Sequence, residues 1–202
     1  MNGKLVAFNS HSLAGKGKDT LTYRHPFTGA LGISKQRKAD IAWLYTDSTK
    51  HYAMASQQAI PATRDSIASF APPAHFKKWK MRTAIGGGPV LLQNGDIKIS
   101  NNEELKFNGK AINDKHPRTL IGYTADDHLI VMVVQGRFPG IAEGATITEE
   151  AELMKQLGCV EAINLDGGGS SCMLINGKPT ITVSDKPGQR AVPAVFLIKA
   201  RK

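Results

Sequence analysis

Hydrophobic residues in this chain fall into short runs rather than long stripes. Residues 5–8, 30–34, 41–45, 90–92, 129–134, 160–165, 172–175, 180–183 and 195–198 are rich in β-branched, leucine or aromatic side chains and are bounded by turn-forming residues. Runs of that length and composition predict strands. Asn94-Gly95, Asn108-Gly109 and Asn176-Gly177 predict hairpin turns, because both central positions tolerate positive φ. One helix stands out over 148–157, with Ala151, Met154 and Leu157 at helical spacing. Thr146 with Glu149 fits a capping box, Glu149 and Glu150 fill the first turn, and Gly158 ends the segment. Weaker helical patterns cover 64–70, closed by Ala71-Pro72-Pro73, and 74–80, whereas 11–19 reads as loop. Many short strands with few helices and no internal repeat predict an α+β fold. The expected architecture is one domain over 1–202, a mixed β-sheet with the helices packed on it.

Composition narrows this only a little. A chain of 202 residues with 41% hydrophobic residues can bury one sizeable core. A formal charge of +9 invites an anionic partner, yet the tight basic cluster is confined to Lys77-Lys78-Trp79-Lys80. Trp43, Tyr45 and Trp79 are not interleaved with basic residues as a nucleic-acid stacking surface would require, so no nucleic acid is expected. No apolar run approaches the roughly 20 residues of a membrane span, and residues 1–15 lack the apolar core of a signal peptide. Cys159 and Cys172 form no CxxC pair, and His11, His25, His51, His75 and His128 show no metal-ligand spacing. No cofactor and no catalytic metal are expected.

The chemistry concentrates where strand-like residues 160–165 run into Asp166-Gly167-Gly168-Gly169-Ser170-Ser171. A simple turn needs one or two glycines. Three in succession allow positive φ and can aim several N–H groups at one anion. This loop is not a P-loop, since Ser170 stands where that motif has lysine and a strand-like segment follows. Nor is it a hydrolase elbow, because Gly168-Gly169-Ser170-Ser171-Cys172 lacks the closing glycine. A second glycine run, Gly86-Gly87-Gly88, leads into an apolar strand, and Arg118-Thr119 opens another after His116-Pro117. Arginine suits a phosphate, which it can grip with two parallel hydrogen bonds.

In this order the segments Ile85-Gly-Gly-Gly-Pro-Val-Leu-Leu, His116-Pro-Arg-Thr-Leu-Ile-Gly, Gly136-Arg137, Glu149-Glu150, Asn164-Leu-Asp-Gly-Gly-Gly-Ser-Ser and Gly188-Gln189-Arg190 resemble the phosphodiester glycosidase family. The resemblance spans about residues 82 to 198 and, more loosely, 27–45. It implies cleavage between a sugar's anomeric carbon and a phosphodiester, with an N-acetylglucosamine-1-phosphodiester-like substrate or an exopolysaccharide. A phosphate monoester leaves readily, so such a site needs positive charge on the phosphate and a carboxylate at the anomeric carbon. Asp166 is the candidate carboxylate, as nucleophile, base for water or oxocarbenium stabiliser, with capping of its own loop as the structural alternative. Arg118 and Arg190 are the leading phosphate candidates, with Arg137, Gly86, Gly87, Gly88, Thr119, Gly167, Gly168, Gly169, Ser170 and Ser171 around them. Glu150 reads as a first-turn dipole residue ahead of a catalyst, and His116 as an exposed loop histidine ahead of an acid or base. Asp166, residues 86–88 and Arg118 are expected to meet in one cleft.

Two departures qualify the match. Gln135 stands where the family usually has an acidic residue, and the family's early Asn-Gly-aromatic segment has no clear counterpart near Asn2-Gly3-Lys4. From the second follows the expectation of an upstream segment in the full-length protein, an incomplete sheet edge at 5–8 and an extracytoplasmic location. The first favours the rival reading, a non-catalytic module that binds anionic glycans. Sequence leaves the oligomeric state open.

Overall fold

The computed structural model describes residues 27–46, 52–61, 74–104, 106–107 and 109–199. Two five-stranded sheets and a helix stack in three layers. Strands β1 (Thr28–Ile33), β2 (Ala39–Tyr45), β3 (Met54–Ser56), β4 (Lys77–Lys78) and β5 (Thr83–Gly86) form the first sheet in the order β4-β3-β2-β1-β5. The second, ordered β7-β6-β10-β8-β9, comprises β6 (Val90–Gln93), β7 (Asp96–Ile97), β8 (Arg118–Thr124), β9 (Leu129–Val134) and β10 (Cys159–Asn164). A small hairpin joins β11 (Leu174–Ile175) to β12 (Lys178–Pro179).

The period-two alternation of a strand explains the layering. Leu31, Ile41 and Trp43 of the first sheet meet Val90, Ile121 and Ile163 of the second in one buried cluster, joined by Leu165. Their neighbours in sequence, Leu91, Leu120 and Ala162, point the other way and pack on Ile147, Ala151 and Met154 of the helix. The second sheet is thus covered on both faces, which is why its strands read as near-continuous apolar runs. Gly29 permits the close approach of the two sheets, since a Cβ there would lie 2.9 Å from Ile163 Cδ1 and 3.0 Å from Val90 Cγ2.

Buried Glu104 fastens the sheets together. It ends a short helix, α1 (Asn101–Glu104), and its carboxylate accepts N–H bonds from Gly29 (2.9 Å), Val90 (3.0 Å) and Trp43 Nε1 (3.1 Å) and the Ser100 hydroxyl at 2.6 Å. Four donors compensate the burial of its charge. Nothing in the polar stretch Asn101-Asn102-Glu103-Glu104 separates this carboxylate from a solvated one.

The α+β reading holds, with one refinement: every pairing among the described strands is antiparallel rather than mixed. The convincing helix is α2 (Ile147–Gln156), whose Thr146–Glu149 capping box is formed in both directions. Ile147, rather than Leu157, completes its buried stripe, and Leu157 is exposed. Residues 74–80 are not helical but carry β4. Asn94-Gly95 and Asn176-Gly177 make the expected turns with both φ values positive, while Gly109 opens a 3-10 turn over Gly109–Ile112 instead of a hairpin. The run 172–175 shortens to β11, and 180–183 and 195–198 form no strand. The expectations for 5–8, 11–19 and 64–70 lie outside the described residues. No described helix is long and apolar enough to cross a membrane.

Candidate active site

β10 ends at Asn164, and the chain beyond it is held from two sides. Gly88 N–H donates to Asn164 O at 2.7 Å, and Asn164 Nδ2 returns a bond to Gly88 O at 2.9 Å. On the other side Leu165 N–H donates to Thr119 O at 2.8 Å and Gly168 N–H to Pro117 O at 2.8 Å. The glycine run, the start of β8 and the loop after β10 therefore converge through their backbones.

The side chains do not all follow. Gly86, Gly87 and Gly88 shape the crossing between sheets: Gly87 donates to Gly29 O at 3.0 Å, and a Cβ on it would sit 2.5 Å from Asn164 O. Gly88 has φ 127° and no room for a Cβ beside the Glu104 carboxylate and Lys106. Within the 166–171 loop, N–H groups also bond inward, Ser170 to Gly167 O at 3.2 Å and Ser171 to Gly168 O at 3.1 Å. The buried Ser171 hydroxyl accepts from Thr119 Oγ1 at 3.2 Å, so Thr119 and Ser171 brace the loop.

Arg118 departs furthest from expectation. Its side chain is only 3% exposed, Nε lies 2.9 Å from Glu150 Oε1, and its N–H bonds run to the carbonyls of Ala145 (Nε, 2.8 Å) and Asp114 (Nη2, 2.8 Å). Arg118 is thus a buried tie between β8, the 114–117 turn and α2, not a side chain presented to solvent. Its stem supports the glycine loop, Cδ lying 3.7 Å from the position of a Gly167 Cβ. Glu150, read as a first-turn dipole residue, is fully buried. Burial pushes its carboxyl up to about 8, against the pull of Arg118. Neither of its oxygens accepts a hydrogen bond from the described residues, because the Arg118 N–H groups point elsewhere. Without donors the ionised form has little to compensate its desolvation.

The exposed groups gather over the loop. Asp166 is 71% exposed, with Oδ2 4.0 Å from Arg190 Nη2, which also donates to Ser170 Oγ. Arg137, itself at φ 65°, lays its guanidinium over Gly168, with Nη2 3.0 Å from the position of a Cβ. Arg137 Nη1 stands 3.6 Å from Asp185 Oδ1, and the Asp185 carboxylate rests on Gly169 where no Cβ fits. His116 lies half-buried rather than exposed. Its basicity is lowered by burial first and then by Arg118 and Arg137, with Asp114 opposing, and its buried Nδ1 has no partner among the described residues. Burial and the two arginines thus disfavour the protonated imidazole.

Asp185 and the burial of Glu150 escaped the sequence reading. Nothing in the local sequence around Asp185 placed its carboxylate on Gly169. Gln135, the departure from the family pattern, accepts the Thr182 N–H at 2.7 Å and so anchors the segment leading to Asp185. No group of three or more His, Cys, Asp or Glu side chains able to hold a metal occurs among the described residues. A shallow hollow of about 370 Å³ on the first sheet, lined by Ala55, Ser56, Gln57, Gln58, His75 and Lys77, contains no carboxylate and none of these loop residues.

A loop of this build, a glycine-rich strand end faced by arginines and aspartates, defines a class. Residues 18–199 match the profile of the phosphodiester glycosidase family, and the chain belongs to that family. Among curated relatives, the SPbeta prophage-derived uncharacterized protein YomE of Bacillus subtilis is 39% identical over 74 residues, 37% of this chain and 11% of that protein. Mouse N-acetylglucosamine-1-phosphodiester alpha-N-acetylglucosaminidase is 32% identical over 101 residues, 46% of this chain and 19% of that enzyme. The chain therefore spans a fifth or less of the length of those relatives. The catalytic domain of the zebrafish enzyme, auto-inhibited by its pro-peptide, superposes with a TM-score of 0.52 at 22% identity, covering 96% of this chain and 59% of that one. At that identity the likeness is one of fold.

Proposed function

We propose that this domain hydrolyses the bond between a sugar's anomeric carbon and a phosphodiester. Water delivers its oxygen to the anomeric carbon, the bond between that carbon and the bridging oxygen breaks, and a phosphomonoester leaves with the bridging oxygen. The reading rests on one observation above all: Asp166 and Arg190 face each other across the loop of a phosphodiester glycosidase family member, with Arg137 alongside. Arg190 and Arg137 supply positive charge to the phosphate, and Ser170 assists from the loop. Asp166 stabilises or attacks the developing oxocarbenium centre. His116, its basicity lowered by burial and the neighbouring arginines, takes the proton that the attacking water gives up. Arg118 acts from beneath by holding the 114–117 turn and the glycine loop.

The substrate class is a glycosyl phosphodiester, with N-acetylglucosamine the leading sugar by kinship to the mouse enzyme. An exopolysaccharide or a phosphorylated glycan outside the cytoplasm is the corresponding natural context. The test is release of free sugar from an N-acetylglucosamine-1-phosphate methyl ester, with and without a chelator. Turnover that survives chelation fits arginine-based charge. Saturable binding with no release of sugar would instead assign the domain as the non-catalytic glycan-binding module that Gln135 favours.

A further inference from the structure

The arginine that lies over Gly168 does not stand alone. Asp185 holds its carboxylate 3.6 Å from Arg137 Nη1 and is only 29% exposed, against 71% for Asp166. It is wedged against Gly169, where a side chain of any size would overlap it. Its own backbone is pinned by a turn, with Gly188 N–H donating to Asp185 O at 3.0 Å and Gly188 at φ 99°. Thr182, three residues earlier, is fixed by Gln135. A carboxylate so placed partly neutralises the guanidinium that would otherwise meet a phosphate. With Arg137 and Arg190 each facing an aspartate, each guanidinium is partly neutralised before any ligand arrives.

We infer that Asp185 is a charge filter that admits monoanionic phosphodiesters to the Arg137 side of the loop and rejects dianionic phosphomonoesters. The inference rests on the function proposed above and adds to it a basis for selectivity. A diester carries one negative charge, whereas a monoester near pH 8 carries close to two, its second ionisation lying near pH 6. Each additional negative charge meets the Asp185 carboxylate at short range, and like charges brought together oppose binding. The same repulsion acts on the phosphomonoester product and speeds its departure. Asp185 differs here from Asp166: it works on the ligand's net charge, not on the anomeric carbon.

Two small probes that share an aromatic group test this, phenyl phosphate and methyl phenyl phosphate, titrated at pH 8 and followed by NMR shifts of the protein. For the parent the diester is expected to bind more tightly than the monoester. Asp185→Asn keeps the shape of the side chain, and should raise monoester affinity about tenfold, within the range of ordinary site-to-site couplings, while raising diester affinity only about threefold, since one charge rather than two meets the carboxylate. Asp185→Ser, which also removes bulk, should show the same change in ratio if the asparagine variant folds poorly. An unchanged ratio, or an equal gain for both probes, overturns the filter and leaves the phosphate site standing. Failure of both probes to bind parent and variants alike overturns the site and the filter together.

Discussion

Two arginines that look alike in sequence occupy opposite situations in the fold. Arg118 and Arg190 each precede an apolar stretch, and both suggest a phosphate ligand. Arg118 is sealed beside Glu150 with side-chain exposures of 3% and 0%, whereas Arg190 and Asp166 are 51% and 71% exposed at 4.0 Å. A buried pair is held because losing one partner strands the other in low dielectric. An exposed pair contributes little to stability and stays free to exchange its partner for a ligand. The difference teaches that burial, not residue type or spacing, separates the brace from the binding group.

Removing the brace gives the largest expected effect. Arg118→Met leaves the carbonyls of Ala145 and Asp114 without their donor and Glu150 without its countercharge. Stability should fall by about 3–5 kcal/mol, measured by denaturant unfolding at pH 9, where Glu150 is ionised. For a domain of this size that is a melting-temperature drop of very roughly 6–20 °C. Arg118→Met combined with Glu150→Leu should recover much of the loss. A single variant that melts with the parent would show that Arg118 is not bracing anything.

Next comes the exposed carboxylate. Asp166→Asn should lower the hydrolysis rate a hundredfold to thousandfold, about 2.7–4 kcal/mol of transition-state stabilisation, while melting close to the parent. If the variant instead unfolds but its folded fraction turns over normally, Asp166 is a cap for its loop and the carboxylate must be sought elsewhere, with Glu143 as the first alternative.

The contrast between the two pairs also marks what could be read in advance. The apolar runs of β9 and β10 and the helical spacing of α2 dictate their existence, because run composition and spacing are local properties. The Thr146 capping box and the Asn-Gly turns at 94 and 176 are likewise local and were legible. The glycine loop and its neighbours were legible as a candidate site because so many glycines serve no core. Hidden from view was the third dimension: which face of β8 Arg118 takes, whether Glu150 meets water, and where Asp185 rests. A Glu in a first helical turn carries the same letters whether it faces solvent or a second sheet. Glu104, ringed by four donors drawn from distant segments, is the extreme case.

A smaller effect, per unit of pH, separates the pairs by titration. The folded carboxyl of Glu150 titrates near 8, above its ordinary value of 4.5. A raised value means the folded state binds the proton more tightly, so this contribution is complete below the unfolded value. It is lost as pH rises through about 8. Across that window unfolding free energy should decline by up to about 1.4 kcal/mol per pH unit from this group. Glu150→Gln should remove that slope, while Asp166→Asn should leave it in place. Equal slopes for Glu150→Gln and parent would mean that the carboxyl is ionised throughout.

The smallest expected effect is the stability change on breaking the exposed pair, and it decides whether the comparison holds. Arg190 donates to Ser170 and lies 4.0 Å from Asp166 at half exposure. Screening by water and salt, together with the entropy of ordering a long side chain, limits such a pair to about 0–1 kcal/mol. Arg190→Ala should therefore unfold within about 1 kcal/mol of the parent, and its difference should shrink further in high salt. The same variant should bind methyl phenyl phosphate more weakly, and Arg190→Lys should recover only part of that binding, since an ammonium keeps the charge but not the planar two-pronged donor. A double-mutant cycle on Arg190 and Asp166 in unfolding experiments should return a coupling near zero. A coupling of several kcal/mol, with ligand binding unaffected, would make Arg190 a second brace and leave Arg137 as the guanidinium available to a phosphate.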